Sequence, residues 1–464
     1  MNNADAPPLP FPDGTVYSAP LQHRPFSCAP LEQYIPVVGI EEVDRLRRVA
    51  DALEGASVLE MNSSAKGGGV AEMLFSQIPL MEQLGLSVEW RTISGAPEYY
   101  ETTKALHNLL QGKRGSFTPE MEGTYLESIE QCALERAGSC GHDVVIIHDP
   151  QPFALGHYLR SDDQAWLWRC HIDIDEETIR RTPRLWDFMT RWAEYYDGTI
   201  FSAVHYVVSK WPIAKLLIPP FIDPFSEKNR ELTREEIRLV LDKHGIDPAV
   251  PIVAQIGRYD RWKGIDRTIK AFRLARQEEK CQLIIAGGLA EDDPEGIQVL
   301  NETIEATAGE EDIRVLSLSL DDRLANWHEV NALQRAASVI MQPSTREGFG
   351  LVITEALWKG KPVIGSDAGA IPMQIRSGTT GFFYGGAGNT AKRLVSLLRD
   401  PDFGRAVGHH GREYVRQHFL MPMRVADYLQ GMQLARKGLL RHEDCRDCII
   451  SFHPWYKLSK RGRG

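Results

Sequence analysis

The chain has 464 residues, 43% apolar and 25% charged, a balance typical of soluble globular proteins and long enough for two or three domains. A net charge of −10 excludes a general binder of nucleic acid or anionic membrane. No apolar run reaches the roughly 18 residues of a membrane span, and the Pro-rich start lacks the charged and apolar regions of a signal peptide. The seven scattered cysteines then fit reduced thiols in a cytoplasmic protein.

Residues 1–30 carry seven prolines without a clear period, which predicts an irregular arm. A helical pattern over 41–54 leads into a strand at 57–61, the turn Asn62-Ser63-Ser64-Ala65-Lys66-Gly67-Gly68-Gly69, and a helix to about Leu84. A strand, a glycine-rich turn and a helix form the unit with which a parallel sheet approaches a phosphate. This turn matches neither G-x-G-x-x-G nor the Walker pattern. The next strand is 87–93, followed by helices at about 98–110 and 119–137. Residues 143–147 form a buried strand ending in His148-Asp149-Pro150-Gln151-Pro152, and 166–170 another ending in His171-Ile172-Asp173. Polar residues at the carboxyl ends of successive strands are where an open α/β sheet holds its ligands. Strands at 198–201 and 205–209 complete the first set.

Residues 218–229, with Pro219, Pro220 and Pro224, read as a linker between domains. Alternation then restarts, with strands at 252–256, 281–286 and 313–316 and helices at 265–277, 295–307 and 322–336. The apolar run 338–341 is a further strand, 362–366 the last, and helices at about 389–399, 402–418 and 422–438 close the chain. This alternation predicts two parallel-sheet α/β domains.

After strand 338–341 comes a tight loop, Glu347-Gly348-Phe349-Gly350-Leu351, and then a helical period carrying Glu355. Such a loop aims backbone N–H groups and a positive dipole end at an anion. A carboxylate beside a phosphate site repels it, so Glu347 and Glu355 suit neutral hydroxyls, as in a ligand with a sugar on either side of its phosphates. The alternative is that Glu347 complements the helix dipole and Glu355 is a solvated helix residue. Strand 252–256 ends in Gly257-Arg258-Tyr259-Asp260-Arg261-Trp262-Lys263-Gly264. Here a guanidinium fork and a compact ammonium meet the same sheet edge as the loop at 342–350, and both suit phosphate. His148 reads as structural, the tryptophans at 166–211 as mostly core, and Cys445-x-x-Cys448 as a lone pair without a second ligand pair. The D-x-D of Asp173 and Asp175 raises the option of a metal-bound substrate.

Gly257-Arg258 with Lys263-Gly264, followed by Glu347-Gly-Phe-Gly-Leu and Glu355, resembles the retaining glycosyltransferases of family 4 over roughly residues 35–440. The segments I-H-D-P-Q-P at 147–152, W-R-C-H-I-D at 168–173 and I-P-P-F-I-D-P-F-S-E-K-N at 218–229 are similar to the trehalose glycosyltransferring synthases among them. Phe221 stands where that pattern more often has a small residue.

The resemblance implies the GT-B architecture, two Rossmann-like parallel-sheet domains facing a central cleft. The acceptor domain would be 31–222, rejoined by C-terminal helices at about 420–464, and the donor domain 223–419. It implies transfer of glucose from a nucleoside diphosphate glucose to glucose, giving trehalose, reversibly. Arg258 and Lys263 would hold the diphosphate. Glu347 would accept hydroxyls of the transferred glucose, and Glu355 would bind the ribose. Gly257, Gly348, Phe349, Gly350 and Leu351 would line the donor, Asp149 and His171 would grip glucose near the reacting carbon, and Gly67, Gly68 and Gly69 would approach phosphate or acceptor. No metal and no cofactor are implied, because cations and a helix end do that work, and the partners are nucleotide-glucose, glucose and trehalose. A homodimer is compatible with this reading. Trehalose phosphorylases share much of the pattern and are the rival: they use phosphate and leave Glu355 no ribose to bind. A nucleotide-sugar epimerase of the same architecture would need no acceptor.

Overall fold

The computed structural model describes residues 16–17, 27–65, 68–93, 95–136, 140–289, 294–445 and 448–453. Gly67 and most of the arm expected at 1–30 lie outside these residues. In chain order the described strands are β1 (Val16–Tyr17), β2 (Ser57–Asn62), β3 (Ser87–Thr92), β4 (Val144–His148), β5 (Ala165–Cys170), β6 (Gly198–Phe201), β7 (Ala214–Leu217), β8 (Ile252–Ile256), β9 (Gln282–Gly288), β10 (Ile313–Leu318), β11 (Val339–Gln342), β12 (Val363–Gly365), β13 (Gly381–Phe383) and β14 (Ile449–Ser451). They fall into two compact units. The first holds the described residues up to Pro219 and from Pro422 onward, the second Pro220–Met421.

In the first unit the strand order is β1-β3-β2-β4-β5-β6-β7-β14, parallel except for the two-residue β1, which runs antiparallel to β3. In the second it is β10-β9-β8-β11-β12-β13, all parallel. The strands that carry each sheet are short β-branched runs, such as Val-Val-Ile-Ile-His in β4 and Ile-Val-Ala-Gln-Ile in β8, buried along their whole length. That is the composition of a parallel strand covered on both faces. Val253, Phe272, Leu283, Val339, Met341 and Ile364 belong to one core cluster of the second unit. Each fully buried side chain of this kind contributes about 1.5–3 kcal/mol.

Both orders reverse direction once, between β2 and β4 in the first unit and between β8 and β11 in the second. At such a reversal the neighbouring loops leave in opposite directions, opening a crevice at the carboxyl ends of the strands where α/β proteins bind ligands. The residues singled out in the sequence follow β8 and β11 in the second unit and β2, β4 and β5 in the first.

Several local expectations shift. The apolar stretch at 205–209 is not a strand: a 3-10 turn spans Val204–Tyr206, and the next strand is β7. Val207 and Val208 are buried as loop residues, a case periodicity cannot separate from a short strand. The last strand of the second sheet is β13, only three residues long and too short for any period to register. Glu355 lies about one turn into its helix, Leu351–Trp358, which opens after left-handed Gly350.

Gly287, in β9, lies against the end of β8: a Cβ there would sit 1.9 Å from the Gly257 carbonyl oxygen, a backbone atom that cannot swing aside. Gly287→Ala is expected to destabilise the protein by about 1–3 kcal/mol or more, the range of overpacked sites. Urea denaturation reads this, and an unchanged midpoint would contradict the close approach.

Candidate functional site

At the reversal in the second unit two loops are joined by backbone. The Asp260 carboxylate accepts the Trp262 N–H at 2.8 Å and caps the 3-10 turn Arg261–Lys263. Gly264 follows at φ +65°, and a Cβ on it would lie 2.3 Å from the Pro343 carbonyl oxygen, so only glycine fits. Thr345 N–H donates to Trp262 O at 2.7 Å, and Gln255 Nε2 donates to Lys263 O at 2.8 Å.

This frame brings Lys263 to Glu347. The Lys263 Nζ lies 3.0 and 2.8 Å from the two Glu347 carboxylate oxygens, and Gln342 Nε2 and Ser344 Oγ donate to one of them at 3.3 and 3.1 Å. Burial pushes the Glu347 carboxyl up, but the Lys263 charge and these donors outweigh it and hold it below the usual range. Gly348 is partly buried beside them, Phe349 is buried with its carbonyl bonded by Gln374 Nε2, and Gly350 turns the chain at φ +85° into the helix opening at Leu351. No side chain caps that helix. Gly257 closes β8, its N–H donating to Ala286 O at 2.9 Å. Arg258 stands 67% exposed, with Asp260 3.9 Å away.

Glu355 is not a solvated helix residue. It is 1% exposed and paired with Lys228 Nζ at 3.0 Å, and Gln334 Nε2 donates to it at 3.2 Å. Burial raises its carboxyl, yet Lys228 and Lys359 pull it below the ordinary value. Burial lowers Lys359 to about 7 against the opposing pull of Glu355. Its Nζ donates to Asn229 Oδ1 at 3.0 Å.

In the first unit Asp149 and His171 meet at the ends of β4 and β5. Asp149 is the one described non-glycine residue at positive φ, +63°. Three bonds hold it there: its N–H donates to Arg169 O at 2.9 Å, its carbonyl accepts Trp168 Nε1–H at 2.8 Å, and its carboxylate accepts the His171 N–H at 2.8 Å. Burial pushes the Asp149 carboxyl up to about 7, with the His171 N–H and the Arg169 charge opposing. Behind His171, its Nε2 lies 2.8 Å from His148 Nδ1, and His148 Nε2 lies 2.7 Å from the Glu60 carboxylate. Glu60 also accepts from Gln77 Nε2 at 3.1 Å and Tyr428 OH at 3.0 Å. The Arg169 guanidinium lies over the Tyr428 ring, 4.8 Å from its centre. Gly68, at φ +79°, and Gly69 open a separate helix, Gly68–Gln83, and both are exposed.

The structure thus gathers Gly257, Lys263, Glu347 and Gly348–Leu351 in one place, with Glu355 further along the same helix, and Asp149 with His171 in another. Sequence reasoning did not point to Glu60, Tyr428, Lys228 or Lys359. A glutamate inside the apolar run of β2 was a readable sign of a paired buried carboxylate. Tyr428 is 368 residues from Glu60, and Lys228 lies in a segment read as linker, so neither carried a local signal.

A family profile described as the N-terminal domain of trehalose synthase matches residues 60–208, and one described as glycosyl transferases group 1 matches 237–414. The chain is 39% identical to the trehalose synthase of Pyrococcus horikoshii over 402 residues, 86% of this chain and 95% of that protein. It is 27% identical to the trehalose phosphorylase of Pleurotus pulmonarius, covering 83% of this chain and 58% of that one. Among solved structures, the alpha,alpha-trehalose 6-phosphate synthase of Burkholderia multivorans superposes with a TM-score of 0.65 at 16% identity, over 82% of this chain and 98% of that one, a likeness of fold.

The raised Asp149 carboxyl makes a testable claim about pH. The folded state keeps the proton to about pH 7, whereas the unfolded chain releases it near the ordinary 3.8. Folding therefore gains stability from this proton at low pH and loses it as pH rises from about 4 to 7. Asp149→Asn, with a side chain that tolerates the left-handed backbone, should remove that loss. Thermal melts across this range should show a shallower decline in the variant; equal slopes would contradict the shift.

Proposed function

The chain belongs to the trehalose synthase family and is an enzyme that transfers hexosyl groups, and on that premise we propose that it moves glucose, with retention, from a nucleoside diphosphate glucose to glucose, forming trehalose reversibly. One observation carries this reading: a lysine and a glutamate held against each other at the strand-order reversal, beside the exposed Arg258 and an uncapped helix start. A diphosphate satisfies Lys263, Arg258 and the helix N–H groups, and a sugar hydroxyl then satisfies the released Glu347.

Nucleoside diphosphate is an acidic leaving group, so the site has to stabilise charge growing on the departing oxygens more than supply a proton. In this reading Arg258 and Lys263 provide that stabilisation, and Gly257 and Gly348–Leu351 line the donor. Asp149 and His171 bind glucose hydroxyls. The glycosidic C–O bond breaks as the acceptor oxygen attacks from the same face, and the leaving phosphate takes the acceptor's proton. No metal is assigned a part. Glu355 is assigned the ribose.

The buried Lys228–Glu355 pair favours the second reading, a phosphorylase, because a ribose has to compete with Lys228 for the carboxylate. Incubating trehalose with ADP, UDP or phosphate separates the two. The first reading expects nucleotide-glucose, and glucose 1-phosphate from phosphate alone would overturn it. Under the first reading Arg258→Ala, at an exposed position, and Lys263→Ala should each lower turnover on the order of 10²–10³. Steady-state rates within a few-fold of the parent in either would contradict the assignment.

A further inference from the structure

Glu60, in the middle of β2, is fully buried. Its oxygens accept from Gln77 Nε2 and from the Tyr428 hydroxyl, and one of them lies 2.7 Å from His148 Nε2. Facing a side chain that accepts its other bonds, His148 Nε2 is assigned the hydrogen. Burial pushes both His148 and His171 below the usual imidazole range, so each ring is neutral and carries one hydrogen. His148 Nδ1 is then bare and accepts from His171 Nε2–H at 2.8 Å. His171 Nδ1 is bare in its turn, and among the described residues it makes no hydrogen bond. Asp149 fixes the backbone of the same residue through its N–H.

We propose that Glu60 and His148 are positioning residues: their hydrogen-bond chain locks His171 in the tautomer with a bare Nδ1, so that His171 accepts a hydroxyl of the transferred sugar. The identity of that sugar rests on the glucose-transfer reading above. A bare ring nitrogen attracts an O–H group and repels a phosphate oxygen, so the chain also makes His171 specific for sugar over phosphate. Because the three side chains act in series, reversing the first hydrogen bond reverses the last.

The nearly isosteric Glu60→Gln does so. Its amide oxygen serves Gln77 and Tyr428 while its NH2 group faces His148, and the hydrogens along the chain flip to leave a donor at His171 Nδ1. Nitrogen-15 NMR of the histidine-labelled full chain reads the tautomer, with the His171 signals identified by their loss in His171→Gln. The expected result is a bare His171 Nδ1 in the parent and a protonated one in Glu60→Gln. In Glu60→Gln, kcat/KM should fall by about 10- to 100-fold, the loss typical when a partner orienting an imidazole is removed. Affinity for nucleoside diphosphate alone should stay unchanged by calorimetry. In a series of deoxyglucose donors the Glu60→Gln penalty should vanish for the one lacking the contacted hydroxyl.

His148→Gln, which keeps a donor and an acceptor in place, should preserve the bare Nδ1 and exceed His148→Leu in kcat/KM by about 10-fold. This pair tests the chain even where Glu60→Gln does not fold. A protonated Nδ1 in the parent, or one equal penalty across every deoxy donor, would overturn the proposal. A parent that turns over no nucleotide-glucose at all would instead sink the functional reading, while the tautomer, read without substrate, still decides the chain.

Discussion

The second unit is organised around the ion pair between Lys263 and Glu347. Two charges largely withdrawn from water are tolerated only with good geometry and further donors, and removing one member of such a pair typically costs about 3–5 kcal/mol. Here the carboxylate takes both contacts from the ammonium and two more from Gln342 and Ser344. What sets the two side chains facing each other is β8 beside β11, glycine at 264 under the Pro343 carbonyl, Thr345 bonded to Trp262, and the Asp260 and Gln255 side chains bonded to the turn that carries Lys263.

Under the proposed reading, cation and carboxylate satisfy each other until a molecule offers a phosphate to one and a hydroxyl to the other. A ligand with only one of these leaves the other partner unmet, which favours a molecule carrying both. In the first unit the arrangement is different. Asp149 is held in a conformation rare for its type, and burial pushes its carboxyl up to about 7.

The fold was largely legible because its central strands are buried runs of β-branched residues separated by helical periods; β2, β4, β8 and β11 fall within a residue or so of where the pattern puts them. The three-residue β13 and β14 take their shape from neighbouring strands and leave no period to read. The loops of the site were legible as glycine and charge at strand ends. Their pairing across 84 residues was not, since the sequence sets both at one edge without saying which charges touch. Glu60 and Tyr428 show the limit most clearly: Glu60 is an isolated carboxylate in the apolar run of β2, Tyr428 gives no local sign at all, and only the closing helix Met421–Arg436 brings them together.

The most direct measurement is a structure of the protein with a nucleoside diphosphate glucose bound. The account predicts the diphosphate on Arg258 and Lys263 at the start of the helix Leu351–Trp358, with Lys263 drawn away from Glu347 and a glucose hydroxyl in its place. A diphosphate bound elsewhere, with the Lys263–Glu347 pair intact, would contradict it.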